Sequence, residues 1–178
     1  IRCNCGMTLI ELIIGLAIAS LISGAAVVAI HQILTASAQA NDMQLATSQV
    51  RAAEHWMTRD ILSTKDVAVD EEDGDLDGTI DWIVLKWTDI NDVHHTVCYS
   101  FEPMPSNVLY SELIRKHQAD EAPFSRLVVA SYLLESACSA QIEEPEEQQR
   151  RPTLKVTLAA KVRSYTATRV FEALPRAD

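Results

Sequence analysis

No proline precedes Pro103, and no glycine falls between Gly24 and Gly74. Residues 31–62 therefore hold no strong helix breaker. Residues 12–30 lack any charged side chain, a run of 19. Basic charge is scarce throughout: 15 Lys and Arg stand against 25 Asp and Glu, for a formal net charge of -10. Phosphate recognition needs a basic face, so nucleic acid is not an expected partner. Arg150 and Arg151 do not supply such a face, because Glu143, Glu144, Glu146 and Glu147 stand beside them. The chain also lacks a nucleophile elbow, a zinc-protease motif and a Gly-rich phosphate loop, so no enzymatic activity is expected.

What is present at the N-terminal end is length and apolarity. Nineteen helical residues from Leu12 to Ile30 span about 28 Å, close to the hydrocarbon thickness of a bilayer. A signal peptide would show a basic start, a shorter run and a small-residue cleavage site behind it. This run instead continues into a helical pattern, which predicts a single membrane-crossing helix. Arg2 is the only basic residue before it and Arg51 the next after it. That asymmetry puts the N-terminus in the cytoplasm and the remainder outside. Glu11 stands at the start of this apolar stretch, where a span alone gives a carboxylate no task.

The stretch Gly6-Met7-Thr8-Leu9-Ile10-Glu11-Leu12 resembles the cleavage and methylation signature of type IV pilins and type II secretion pseudopilins. The resemblance implies a prepilin peptidase that cuts after Gly6 and N-methylates Met7, the new first residue, where the family more often has phenylalanine. It implies that Glu11, at the fifth mature position, neutralises the terminal amine of an adjacent subunit in a filament core. It also implies an order along the chain: a leader over 1–6, a membrane and assembly helix over 7–30, its amphipathic continuation over 31–62, and a β-rich head over 63–178. The leader has six residues and one arginine, and its opening Ile leaves open whether Ile1 is the true start.

Met43, Ala46, Val50, Ala53, Met57 and Ile61 recur at spacings of three and four, opposite Gln44, Gln49, Arg51 and Glu54. This is one apolar stripe on an amphipathic helix, so a single helix is predicted from about Thr8 to Leu62. Beyond it, residues 80–87, 93–101 and 108–114 read as short strands at hairpin intervals. Residues 154–162 alternate strictly, with Leu154, Val156, Leu158, Ala160 and Val162 on one face. Residues 164–173 read as a continuation or a partner strand, 126–135 fit strand or helix, and 143–152 read as a solvated loop. The predicted fold is α+β, a long N-terminal helix packed on an antiparallel sheet, and as a whole it resembles the pilin-like fold. Residues 50–61, "VRAAEHWMTRDI", and the closing "TATRVFEALPRAD" resemble minor pseudopilins of the J/W kind.

The loop "DGDLDGTID" over 73–81 places Asp73, Asp75 and Asp77 at alternate positions before Gly78, with Thr79 and Asp81 beyond. Calcium loops use this spacing, because alternate carboxylates and a backbone carbonyl converge on one ion. Val84 falls where such a loop would carry its bidentate glutamate, so the pattern fits either a partial Ca2+ site or a solvated acidic turn. His94 and His95 are neighbours on a predicted strand and point to opposite faces, so they do not share a metal with Cys98. Cys98 and Cys138 lie on the outer side of the span, where they are either a disulfide or two separate buried thiols. Two functions follow. The first is a minor pilin or pseudopilin, inserted in the cytoplasmic membrane and assembled with other such subunits into a periplasmic or extracellular filament. The second is a single-span, signal-anchored extracellular binding module with a calcium-responsive acidic loop.

Overall fold

The computed structural model describes residues 8–74, 81–120, 122–143 and 152–176. The chain divides into two compact units, residues 1–41 and 42–178. One helix, α1 (Leu9–Ser63), contributes to both. Its extent agrees with the predicted helix within a residue at each end. In the first unit every described residue, Thr8 to Asn41, is exposed. The helix is long and apolar enough to cross a membrane. An exposed apolar surface of this size marks a membrane or assembly interface, since water would not tolerate it.

The second unit holds eight strands among its described residues: β1 (Asp66–Glu72), β2 (Asp81–Thr88), β3 (His94–Met104), β4 (Asn107–Ala119), β5 (Ser125–Leu133), β6 (Ser139–Glu143), β7 (Thr153–Val162) and β8 (Tyr165–Ala173). They form one antiparallel sheet in the order β1-β2-β3-β4-β5-β7-β6, with β8 also paired to β7. The sheet curls until its edge strands β1 and β6 flank a cavity of about 430 Å³ lined by Val67, Val69, Ala140 and Ile142. The layout is the expected α+β one. Because residues 42–63 of α1 fall in the same compact unit as the sheet, this unit begins well before residue 63.

The predicted helix stripe is the seam of the core. Ala46, Val50, Ala53, Met57 and Ile61 are all buried against side chains of β2, β3, β4, β5 and β7. Ala46 and Ala53 bring the helix backbone close to the sheet, where larger side chains would hold it off. Met43 departs from the expectation: it is 51% exposed, because no core side chain extends to its turn of the helix. On β7, Leu154, Val156, Leu158, Ala160 and Val162 are buried as the alternation predicts.

The ambiguous segments resolve through long-range pairing. Residues 125–133 are a strand because β4 supplies the ladder, with Ile114 opposite Val128 and Ser111 opposite Leu133. The chain then leaves β7 at a short 3-10 turn, η1 (Glu135–Ala137), and rejoins the same edge as β6. Residues 165–173 are a partner of β7 and not its continuation. Arg163, at φ 51°, supplies the left-handed residue of a two-residue hairpin that sets Val162 opposite Tyr165. Two strands escaped the sequence reading. β1 is masked by its acids, although Val67 and Val69 pair with Leu85 and Ile83; β6 is short and borders an acidic stretch.

Met57 and Met43 sit on one helix face but differ in burial, which makes a direct comparison. In a fragment starting at Asp42, Met57→Ala should lower the stability read by denaturant unfolding by about 2–5 kcal/mol. Met43→Ala should change it by less than about 0.5 kcal/mol.

Candidate functional site

Gly6 and Met7 lie outside the described residues. The description opens on Thr8, which caps α1. The Glu11 N–H donates to Thr8 Oγ1 at 3.3 Å, and the Thr8 N–H donates back to Glu11 Oε2 at 3.1 Å. The Thr8 hydroxyl also donates to Glu11 Oε2 at 3.1 Å. This is a capping box, in which two orphan donors at a helix start satisfy each other's partners. Within a single chain, therefore, Glu11 closes its own helix. The signal was present in the sequence as Thr-x-x-Glu ahead of an apolar run.

A second cluster, which sequence reasoning missed, lies in the helix–sheet seam. Asp60 is 4% exposed on α1, between the core residues Met57 and Ile61. Arg115 of β4 grips it with both arms, Nε to Oδ2 at 2.6 Å and Nη2 to Oδ1 at 3.0 Å. The Tyr99 hydroxyl of β3 donates to Oδ2 at 2.6 Å. Trp56 lies under the guanidinium, with Arg115 Cζ 5.2 Å from its ring centre. A buried carboxylate requires such paired and bidentate donors. Burial, and then the adjacent Asp60, hold the Tyr99 phenol well above its ordinary range. Burial alone would lower the Arg115 guanidinium, but the bond and charge of Asp60 outweigh it and raise it. The available signal was a lone acid on an apolar stripe, one residue before Ile61.

From Arg115 an aromatic column leads toward solvent. His117 stacks on His95 at 5.4 Å between ring centres, and His95 stacks on Trp87 at 5.1 Å. His95 Nδ1 and His117 Nε2 are 3.1 Å apart, a hydrogen bond that exists only while one of the two rings is neutral. Burial, then the charge of Arg115, then His95, lower the His117 pKa below that of a free imidazole. His94 turns to the other face and meets Thr88 Oγ1 at 2.9 Å. Among the described residues no group of three His, Cys, Asp or Glu side chains is placed to hold a metal ion.

Of the acidic loop, Asp75, Asp77 and Thr79 lie outside the described residues. Asp73 is half-buried and Asp81 is 1% exposed at the start of β2. Asp81 Oδ2 accepts the Gly74 N–H at 3.0 Å and so ties the two ends of the loop together. Gly74 has a packing reason to be glycine: a Cβ there would stand 2.5 Å from the Cys98 sulfur and 2.9 Å from Val84. Of the two readings for the cysteines, the structure has separate thiols and no bridge. Cys98 is on β3 and Cys138 beside β7, with β4 and β5 between them in the sheet. The Ala159 N–H donates to the Cys138 sulfur at 3.4 Å, and burial raises that thiol's pKa.

Two measurements test the seam. Arg115→Ala strands a buried charge and should cost about 3–5 kcal/mol, most of which the Asp60→Leu, Arg115→Leu double variant should recover. Because folding lowers the His117 pKa, protonation favours the unfolded chain, and stability should fall as pH drops below about 6.5. His117→Gln should flatten the melting temperature between about pH 7.5 and 5.5.

No curated protein and no solved structure matches this chain. A family model does match its start: residues 1–27 carry a prokaryotic N-terminal methylation motif, and the helix that begins at Leu9 has the length and composition of a membrane span.

Proposed function

We propose that this chain is a minor pilin or pseudopilin, a structural and assembly subunit of a type IV pilus or type II secretion filament and not an enzyme. The observation that carries the reading is the methylation motif over residues 1–27 running into an apolar helix that is exposed throughout as far as Asn41. The peptidase cuts after Gly6 and methylates Met7. The span holds the subunit in the cytoplasmic membrane with its head outside, and other pilin subunits are its partners in the filament. The loose likeness of residues 50–61 to minor pseudopilins of the J/W kind favours a minor subunit over a fibre-forming one.

Glu11 then has two successive partners. In the lone subunit its carboxylate takes the Thr8 N–H and hydroxyl. In the filament it takes the methylated amine of a neighbour's Met7, an ionic partner whose attraction is far stronger in the low-dielectric filament core than in water. The local bonds are surface-accessible and weak enough to exchange. Glu11→Ala should leave the protein in the membrane and remove it from the assembled filament. Thr8→Ala, which breaks only the local cap, should leave incorporation within about twofold of wild type. Normal incorporation of Glu11→Ala would rule out the pairing.

A second reading gives the 73–81 loop a calcium ion in an anchored binding module. The buried Asp81 carboxylate, already fixed on the loop backbone, favours it. Calcium should then raise the melting temperature of the Asp42–Asp178 fragment, and the Asp75→Ala, Asp77→Ala pair should abolish that rise. A wild-type fragment indifferent to calcium and to a chelator would end this reading.

A further inference from the structure

The β3–β4 hairpin reaches past its neighbours. β2 pairs with β3 only as far as Tyr99, and β5 pairs with β4 only from Ser111 onward. The rest of the hairpin is held by its own ladder alone, closing with Met104 opposite Asn107 around Pro105 and Ser106. In a chain of net charge -10, residues 103–111 contain no charged side chain. Near the turn Val108 is 85% exposed and Leu109 77% exposed, on opposite faces of the ribbon. Bare apolar side chains on an uncharged, protruding tip mark a contact surface.

The position of the tip on the second unit is fixed by contacts along α1. Arg115 meets Asp60, whereas the Ser131 N–H, beside the Ser111 and Leu133 pair, meets Gln49, about three turns earlier on the helix. Following β4 from Arg115 through Ser111 to Leu109 therefore runs toward the Asp42 end. The β7–β8 turn arrives at the same end, where Arg163 reaches Asp42 at 3.5 Å. Tyr110 and Tyr132, 6.1 Å apart, stand behind the tip, and Tyr165 follows the β7–β8 turn. Three of the four tyrosines thus gather at this pole, half-buried, the exception being Tyr99 in the core. Tyrosine, with an apolar body and a polar end, is the residue of membrane–water boundaries.

The sequence places a bilayer at this pole. The stretch free of Asp, Glu, Lys and Arg does not stop at Ile30 but continues from Leu12 to Asn41. As helix it is about 45 Å long, which covers the hydrocarbon core together with both headgroup layers. Asp42 is its first charged residue beyond Glu11 and also the first residue of the second unit. The head accordingly begins at the outer headgroup surface.

We infer that the Asp42 pole is a membrane-contacting surface. The β3–β4 tip sets Val108 and Leu109 into the headgroup–acyl boundary of the same bilayer that the span crosses, with the tyrosines at headgroup level. This rests on the reading of the N-terminal helix as a span. The occupant is lipid; of the carboxylates near the tip, Glu102 is paired with Arg126 at 2.8 Å, while Glu135 and Glu112 accept the Ser111 and Ser131 hydroxyls at 3.3 and 3.5 Å.

The test uses the full chain in vesicles of phosphatidylethanolamine and phosphatidylglycerol. Cys3, Cys5 and Cys138 are changed to Ser; Cys98, buried at 0% exposure, does not react in the folded protein. A polarity-sensitive fluorophore is attached at Leu21→Cys, Val108→Cys, Leu109→Cys or Ile90→Cys. Ile90, 93% exposed in the β2–β3 turn, is an apolar control away from the pole. Shallow spin-labelled lipid should quench the labels at 108 and 109 at least twofold more than the label at 90. Leu21→Cys, quenched by deep spin-labelled lipid, reports on the span itself. Deep quenching at 21 with tip labels no more quenched than 90 overturns the proposal and leaves the span intact. Failure at 21 overturns the span reading. Tip labels that become shielded only as the protein-to-lipid ratio rises identify a second copy as the occupant and also overturn the proposal. Val108→Asp with Leu109→Asp, both at exposed positions, should remove shallow quenching from a label at Tyr110→Cys without lowering the melting temperature.

Discussion

A buried carboxylate governs how the helix meets the sheet. Asp60 on α1 lies among apolar residues, and leaving it there unpaired would cost several kcal/mol. Among the described residues, Arg115 and Tyr99 relieve that cost, and they come from two adjacent strands. The helix is therefore held at one rotation and one height over β3 and β4. Slippage by one turn would swap Asp60 for Trp56 or Thr64 at the guanidinium and strand two buried polar groups. Hydrophobic burial supplies the bulk of the stability, and the ion pair selects the arrangement.

Once that register is set, the rest of the second unit follows. Gln49 reaches the backbone of β5 and Glu54 receives both arms of Arg169 from β8, at 2.9 and 3.0 Å. The same register brings the uncharged β3–β4 tip and the β7–β8 turn to the Asp42 end. Fold and function meet at that end, since the span enters there.

What was legible in the sequence depended on how local the physics was. The membrane-length helix, the Gly6 to Leu12 signature, the stripe from Ala46 to Ile61 and the alternation of β7 are all short-range patterns, and each could be read directly. The strand identity of 125–133 and the partner status of 165–173 required knowing which ladder lay alongside. Asp60 and Arg115 are 55 residues apart, and nothing near either one announces the other. β1 was hidden because its solvent-side acids outweighed two inward valines. Glu11 was read for its part in assembly, while its nearer role as helix cap, equally written in Thr8-x-x-Glu11, went unread. Met43 shows the converse failure: the period was right, but periodicity does not say how far a sheet extends.

Pairing through Glu11 and filament assembly, as proposed, both presuppose a mature chain that begins at Met7. Mass spectrometry of the N-terminal peptide, from protein isolated from membranes of cells with an active prepilin peptidase, measures this directly. The expected peptide begins at N-methylated Met7. A peptide that still carries Gly6 ahead of an unmodified Met7 would contradict it.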